Sequence, residues 1–144
     1  MGGYALGAVL QQAADETAFW ISTVAGNTTD PDASGAGWCS TKPLYATTAS
    51  AAGATNNLVL PGPSDYYLDI STAAGNANIT GFVAQRDGQK LFISNVGANA
   101  LVLNALNAGS AAANRLRAAT DLGVIQNQTV TIQYSTGAGK WLVV

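Results

Sequence analysis

Between Thr80 and Val96 two short alternating runs flank one strong turn signal, and no other stretch narrows the possible folds of the chain as much. Phe82 and Ala84 alternate with Val83 and Gln85, and Leu91, Ile93 and Asn95 alternate with Lys90, Phe92 and Ser94. A period of two sends successive side chains to opposite faces of a strand and gives a helix no continuous apolar stripe. Arg86-Asp87-Gly88 separates the runs, and Asp-Gly suits a reversal because Gly takes positive φ freely and Asp tolerates it. The expectation is a β-hairpin with one buried face, followed after Gly97-Ala98-Asn99 by another strand at Leu101–Leu103.

The same signals recur along the chain. Tyr4–Leu10 and Phe19–Val24 read as short strands, and 27–38 is dense in turn formers and ends on Trp38. Residues 41–56 are rich in Ala, Thr and Ser and read as a linker or a spacer strand. Leu58–Leu60 is stopped by Pro61-Gly62-Pro63, and Tyr66, Leu68 and Ile70 alternate with Tyr67, Asp69 and Ser71. Residues 111–119 carry a weak helical preference that strand neighbours can override. The clearest strand is C-terminal: Val130, Ile132 and Tyr134 face one way, Gly137-Ala138-Gly139 turns the chain, and Lys140–Val144 returns. The predicted fold class is all-β, an antiparallel β-sandwich or jelly-roll-like domain over 57–144 preceded by a small β module over 1–40.

At 144 residues the chain is long enough to bury a core, yet charged residues make up only 10% of it, against roughly 25% in an ordinary soluble domain. A surface covered by Asn, Thr, Ser, Gln, Gly and Ala suits permanent packing against other copies. Six basic against eight acidic residues, with no basic cluster, argue against nucleic acid as a partner. No apolar run approaches the roughly 20 residues of a membrane span, so no membrane insertion is expected, and no basic-then-apolar export signal opens the chain.

The residues that run most hydrolytic and transfer chemistry are missing. Histidine is absent, which removes Ser-His-Asp and Cys-His sets, and the single Cys39 reads as a small half-buried side chain. The Gly-Ala-Gly runs at 35–37 and 137–139 lack the lysine and helix of a phosphate loop. Asp30-Pro31-Asp32-Ala33-Ser34-Gly35 matches the first half of a calcium loop but has Thr41 where the bidentate Glu belongs, so a plain turn is favoured. The carboxylate pairs Asp15-Glu16 and Asp65 with Asp69 read as solvated loop charges rather than a glycosidase pair. No catalytic residue, no cofactor and no metal site is expected.

Gly3–Val9, Phe19–Thr23, Asn27–Asp32 and Gly35–Trp38 together resemble a module of tail-fibre proteins of tailed bacteriophages and prophages. The same outline is more loosely similar to small chitin-binding-type carbohydrate modules. Gly88–Gly97, Ala113–Leu116, and Val130–Tyr134 with Trp141 resemble another β module of phage tail and fibre proteins. The resemblance implies a non-enzymatic structural protein of the virion, assembled in the bacterial cytoplasm as a homotrimer with other virion proteins. A tail-fibre or tail-associated role is the first expectation, with a capsid decoration protein and a host-glycan-binding module as alternatives. Tyr4, Trp20 and Trp38 are then either glycan contacts or the core of the N-terminal module. Tyr134 and Trp141 are expected in the larger domain's core or at its subunit seam.

Overall fold

The structure, a computed structural model, describes residues 3–13, 17–31, 37–49 and 52–144. Strand takes up 45% of the described residues and helix 2%, so the fold is all-β. Two compact units divide it: residues 1–44 with 62–65, and residues 45–61 with 66–144. The N-terminal unit thus extends past 40 and takes in the Gly62–Asp65 turn. Much of the expected linker at 41–56 is strand that belongs to the second unit.

The first unit is an antiparallel meander of β1 (Val9–Gln11), β2 (Phe19–Ser22) and β3 (Trp38–Ser40). Leu10, Trp20 and Ser40 share one cross-strand row, and Val9, Ile21 and Cys39 share the next on the opposite face. Trp20 and Trp38 are buried, whereas Val9, Phe19 and Ile21 are exposed. So small a sheet has little apolar surface to bury, and polar side chains hold its turns instead. Asn27 donates from Nδ2 to the Gly37 carbonyl (3.0 Å) and accepts at Oδ1 from the Thr29 amide (3.1 Å) and hydroxyl (2.7 Å). Ser64 Oγ accepts the Ser40 amide at 2.8 Å, which ties in the Gly62–Asp65 turn.

The second unit is built from coils. β4 (Leu44–Ala49), β5 (Gly53–Thr55) and β6 (Leu58–Val59) make the first; β7 (Tyr66–Ser71), β8 (Ala77–Ile79) and β9 (Phe82–Val83) make the second. β10 (Lys90–Asn95) and β11 (Leu101–Leu103) continue into a third. Strands of successive coils pair in parallel: β5 with β8, β8 with β11, β6 with β9, and β7 with β10. From Gly53 to Ala77 to Leu101 each step advances 24 residues, the signature of a short β-solenoid.

The chain then turns back on itself. A 3-10 turn (Ala112–Asn114) and β12 (Leu116–Arg117) lead to β13 (Leu122–Val124), β14 (Thr129–Ser135) and β15 (Lys140–Val143). β13 and β14 lie antiparallel on β11 and β10, and β15 lies antiparallel on β14, so the return closes the last coil. The six-stranded sheet runs β12-β15-β14-β10-β7-β4 and the four-stranded one β13-β11-β8-β5.

Two expectations are corrected here. Phe82–Val83 and Lys90–Asn95 do not pair with each other: Arg86-Asp87-Gly88 is a coil corner, with Gly88 at φ +71°, and each run pairs in parallel with the preceding coil. Within the second unit the antiparallel pairing of a sandwich or jelly roll therefore holds only where β13, β14 and β15 return. The physical reason is that alternation states which face is buried and leaves open which edge lies alongside. The hairpin of β14 and β15, with Tyr134 opposite Trp141, forms as expected.

Leu68, Ile70, Ile79, Phe82, Leu91, Ile93, Leu101, Leu103, Ile132 and Trp141 fill the coil interior. Among the described residues no buried side-chain nitrogen or oxygen lacks a hydrogen-bond partner. Asn95, fully buried, donates from Nδ2 to the carbonyls of Asn99 and Val124, both at 2.9 Å, and accepts at Oδ1 from Thr72 Oγ1 and the Gly97 amide, both at 3.1 Å. Gly97 must be glycine, because a Cβ there would stand 2.2 Å from the Thr72 nitrogen.

Candidate functional site

Outward-facing residues of the six-stranded sheet bring two aromatic rings together, and a third stands on its edge strand. Tyr67 and Phe92 are register partners on β7 and β10, both on the solvent side of their alternating strands, and their rings stack with centroids 4.8 Å apart and planes 27° from parallel. The edge strand β4 adds Tyr45, whose hydroxyl donates to Asp69 Oδ2 on β7. That hydrogen bond raises the Tyr45 pKa above the ordinary tyrosine value, with desolvation and the repulsion of a second negative charge beside Asp69 adding to it.

Polar rows flank the aromatic one. On one side Asp69, Ser94 and Thr129 lie in register, with the Ser94 and Thr129 hydroxyls 2.7 Å apart; on the other, Lys90 faces Gln133. The period-two pattern places these residues outward, because Tyr66, Leu68, Leu91 and Ile93 take the inward positions. The arrangement offers flat apolar rings bordered by hydroxyls, a carboxylate, an amide and one ammonium. Such a surface can bind and can orient a ligand.

The residues singled out from sequence lie elsewhere. Trp38 is fully buried, donates from Nε1 to the Thr29 carbonyl at 3.1 Å, and meets the Tyr4 ring edge-on at 5.1 Å. Trp20 is buried and Tyr4 is 43% exposed, so of the three only Tyr4 presents much surface. Tyr4 lines an open cleft of about 400 Å³ with Gln11, Thr29 and Asp30. In the second unit Trp141 is fully buried, donates to the Phe82 carbonyl at 2.8 Å and stands edge-on to both Phe82 and the half-buried Tyr134. Cys39 is half-buried.

Asp65 falls in the first unit and Asp69 in the second, where it holds Tyr45. The Asp15-Glu16 pair and most of the calcium-loop match, Asp32 to Gly35, lie outside the described residues. Among the described residues no group of three or more Cys, Asp or Glu side chains is placed to hold a metal ion, and no helix is long and apolar enough to cross a membrane. Tyr67 and Phe92 were legible as outward strand positions, but their stacking depends on parallel pairing that alternation does not encode. Tyr45 lay in the presumed linker and carried no signal at all. Comparison with family models, with curated proteins and with solved structures finds no match to this chain.

Proposed function

We propose that the chain is a non-enzymatic structural component of a tailed-bacteriophage virion, a tail-fibre or tail-associated protein that assembles as a homotrimer. The observation that carries this reading is the first coil. From Tyr45 to Leu60 it contains no charged residue, its β5 ends the four-stranded sheet, and Val59 is 73% exposed. Sheet edges that face water are ordinarily guarded by charges or Pro, so an edge without a charge is consistent with cover by another chain. The neighbouring outer row of Ala54, Asn78, Val102 and Gly123 is uncharged and nearly flat, which suits close packing of one coil against another.

The stacked coils suit a part that builds. The phage-like segments of the second half fall on β10, on the reversal at Ala113–Leu116 and on the β14–β15 hairpin. Sedimentation of the purified chain tests the assembly, with three copies expected and a monomer at micromolar concentration contradicting it. Antibody labelling of intact particles tests the location: label on the tail agrees with the reading, and label on the head makes this a decoration protein.

A further inference from the structure

The aromatic strip on the six-stranded sheet has a geometry that its packing does not require. Tyr45 is anchored at its backbone on β4 and at its hydroxyl on Asp69 of β7, yet 67% of it is exposed. A ring tethered at both ends and still so exposed keeps one flat face to solvent. Tyr67 is half-exposed as well, and its stacking on Phe92 continues the strip onto the next strand. Exposed aromatic rings that are fixed in place lose little conformational entropy on binding.

We propose that this strip is a saccharide-binding site, in which the apolar C–H face of a neutral sugar ring lies on Tyr45 and its hydroxyls bond to the flanking polar rows. Asp69 accepts a sugar hydroxyl at its second carboxylate oxygen, and Ser94 with Thr129 extends the same border. On the far side Lys90 and Gln133 supply donors. The balance of charge selects the ligand class. Asp69 and Lys90 carry opposite charges on the two flanks, so the strip is no cationic groove of the kind that single-stranded nucleic acid needs along its backbone, and a neutral polyol suits it better. A protein partner would want a broader apolar centre than an aromatic row bordered by polar rows on both sides. The inference is independent of where the protein sits on a particle, and it requires that assembly through the β5 edge and Val59 leave the outer face of Tyr45 open.

The test titrates the full chain with tetrasaccharides of β-1,4-glucose, α-1,4-glucose, β-1,4-N-acetylglucosamine and β-1,4-mannose by calorimetry. Saturable binding to at least one is expected, at a Kd of about 0.1 to 1 mM, the weak range of a shallow single site. Tyr45→Ala should weaken that binding at least tenfold. Tyr45→Phe, which keeps the ring but releases the Asp69 tether, should weaken it by about threefold, equivalent to well under one hydrogen bond to a charged group. Ile125→Ala, on an exposed residue outside the strip, should leave it unchanged, and melting curves of each variant confirm that it is folded. Three results overturn the proposal: no binding below about 10 mM, wild-type affinity in Tyr45→Ala, or a changed oligomeric state in that variant. A trimer that binds no sugar defeats this inference alone, and a monomer that binds one defeats only the assembly reading.

Discussion

The two units solve the same problem, how to hold short strands, by opposite means. In the first, two buried indoles and Ala18 make up the apolar core among the described residues, and the turns are tied by side chain-to-backbone bonds of Ser22, Asn27 and Ser64. In the second, every coil adds Leu, Ile or Phe to one continuous interior, and the polar side chains that enter it are hydrogen-bonded. In the second unit the three-residue strands β8 and β11 have neighbours on both sides. In the first, strands this short depend on Trp20 and Trp38.

The same substitution in each unit gives the strongest test of that contrast. Trp141→Ala should destabilise the coil by about 3 to 5 kcal/mol, from the lost packing and the stranded Phe82 carbonyl, and hydrogen exchange should show a coil that still folds. Trp38→Ala should abolish protection throughout β1 to β3, since no other fully buried large side chain remains in that sheet. Equal partial losses in the two units would break the comparison.

Asn95 sharpens it. Replacing Asn95 by Ala removes the side-chain donor to the Val124 carbonyl and the acceptor of the Gly97 amide in a buried corner, while the Asn99 carbonyl keeps the Thr72 hydroxyl, and should cost about 2 to 4 kcal/mol in urea denaturation. A neutral result would mean that the corner is wet and the coil is less closed than its burial implies.

A smaller effect of opposite sign is expected at Leu106. It sits at φ +49°, half-exposed, in a left-handed conformation that costs a side chain bearing Cβ about 1 kcal/mol or more. Asn57 holds the same φ, and Leu106→Asn should raise stability by about 0.5 to 1 kcal/mol, since Asn tolerates this region. A lower melting temperature would show that the Leu side chain has a packing role that offsets the strain.

The smallest effect is on acid sensitivity. Asp121 accepts the Ala105 amide at 2.7 Å and the Asn104 Nδ2 at 2.9 Å, and these bonds hold its carboxyl below the ordinary aspartate range. Asp87 is lowered in the same way by the Thr136 amide, with the Thr136 side chain, the Gly88 amide and Arg86 adding to it. A depressed folded pKa stabilises above the unfolded value of about 3.9 and is lost as pH falls through the folded one. The melting temperature should therefore drop below about pH 4, and Asp121→Asn should drop less steeply over the same range.

Much of the second unit could be read from residue alternation. Leu68 and Ile70, Leu91 and Ile93, and Ile132 are buried where period two puts them, and the β14–β15 hairpin was legible because its turn is short and rich in Gly. The 24-residue step was not, because coils share only a spacing of apolar positions: Thr55, Leu58 and Val59 in one, Ile79, Phe82 and Val83 in the next. Nor was Tyr45, whose Ala- and Thr-rich surroundings resemble a linker until a neighbouring strand is supplied.

By itself, then, the amino-acid sequence determined the all-β class, the position of most strands and the face that each one buries, since those follow from local periodicity and turn chemistry. The tertiary structure decided which edges meet, that the coils stack in parallel, that Trp20 and Trp38 turn inward, and that Tyr67 stacks on Phe92 while Tyr45 bonds Asp69. The physical reason is the separation of the two energies. Side-chain alternation is set by burial within a strand, whereas backbone hydrogen bonds along a strand edge are chemically alike for every partner. Only the fit of whole coils, Leu101 on Ala77 and Leu103 on Ile79, distinguishes one neighbour from another.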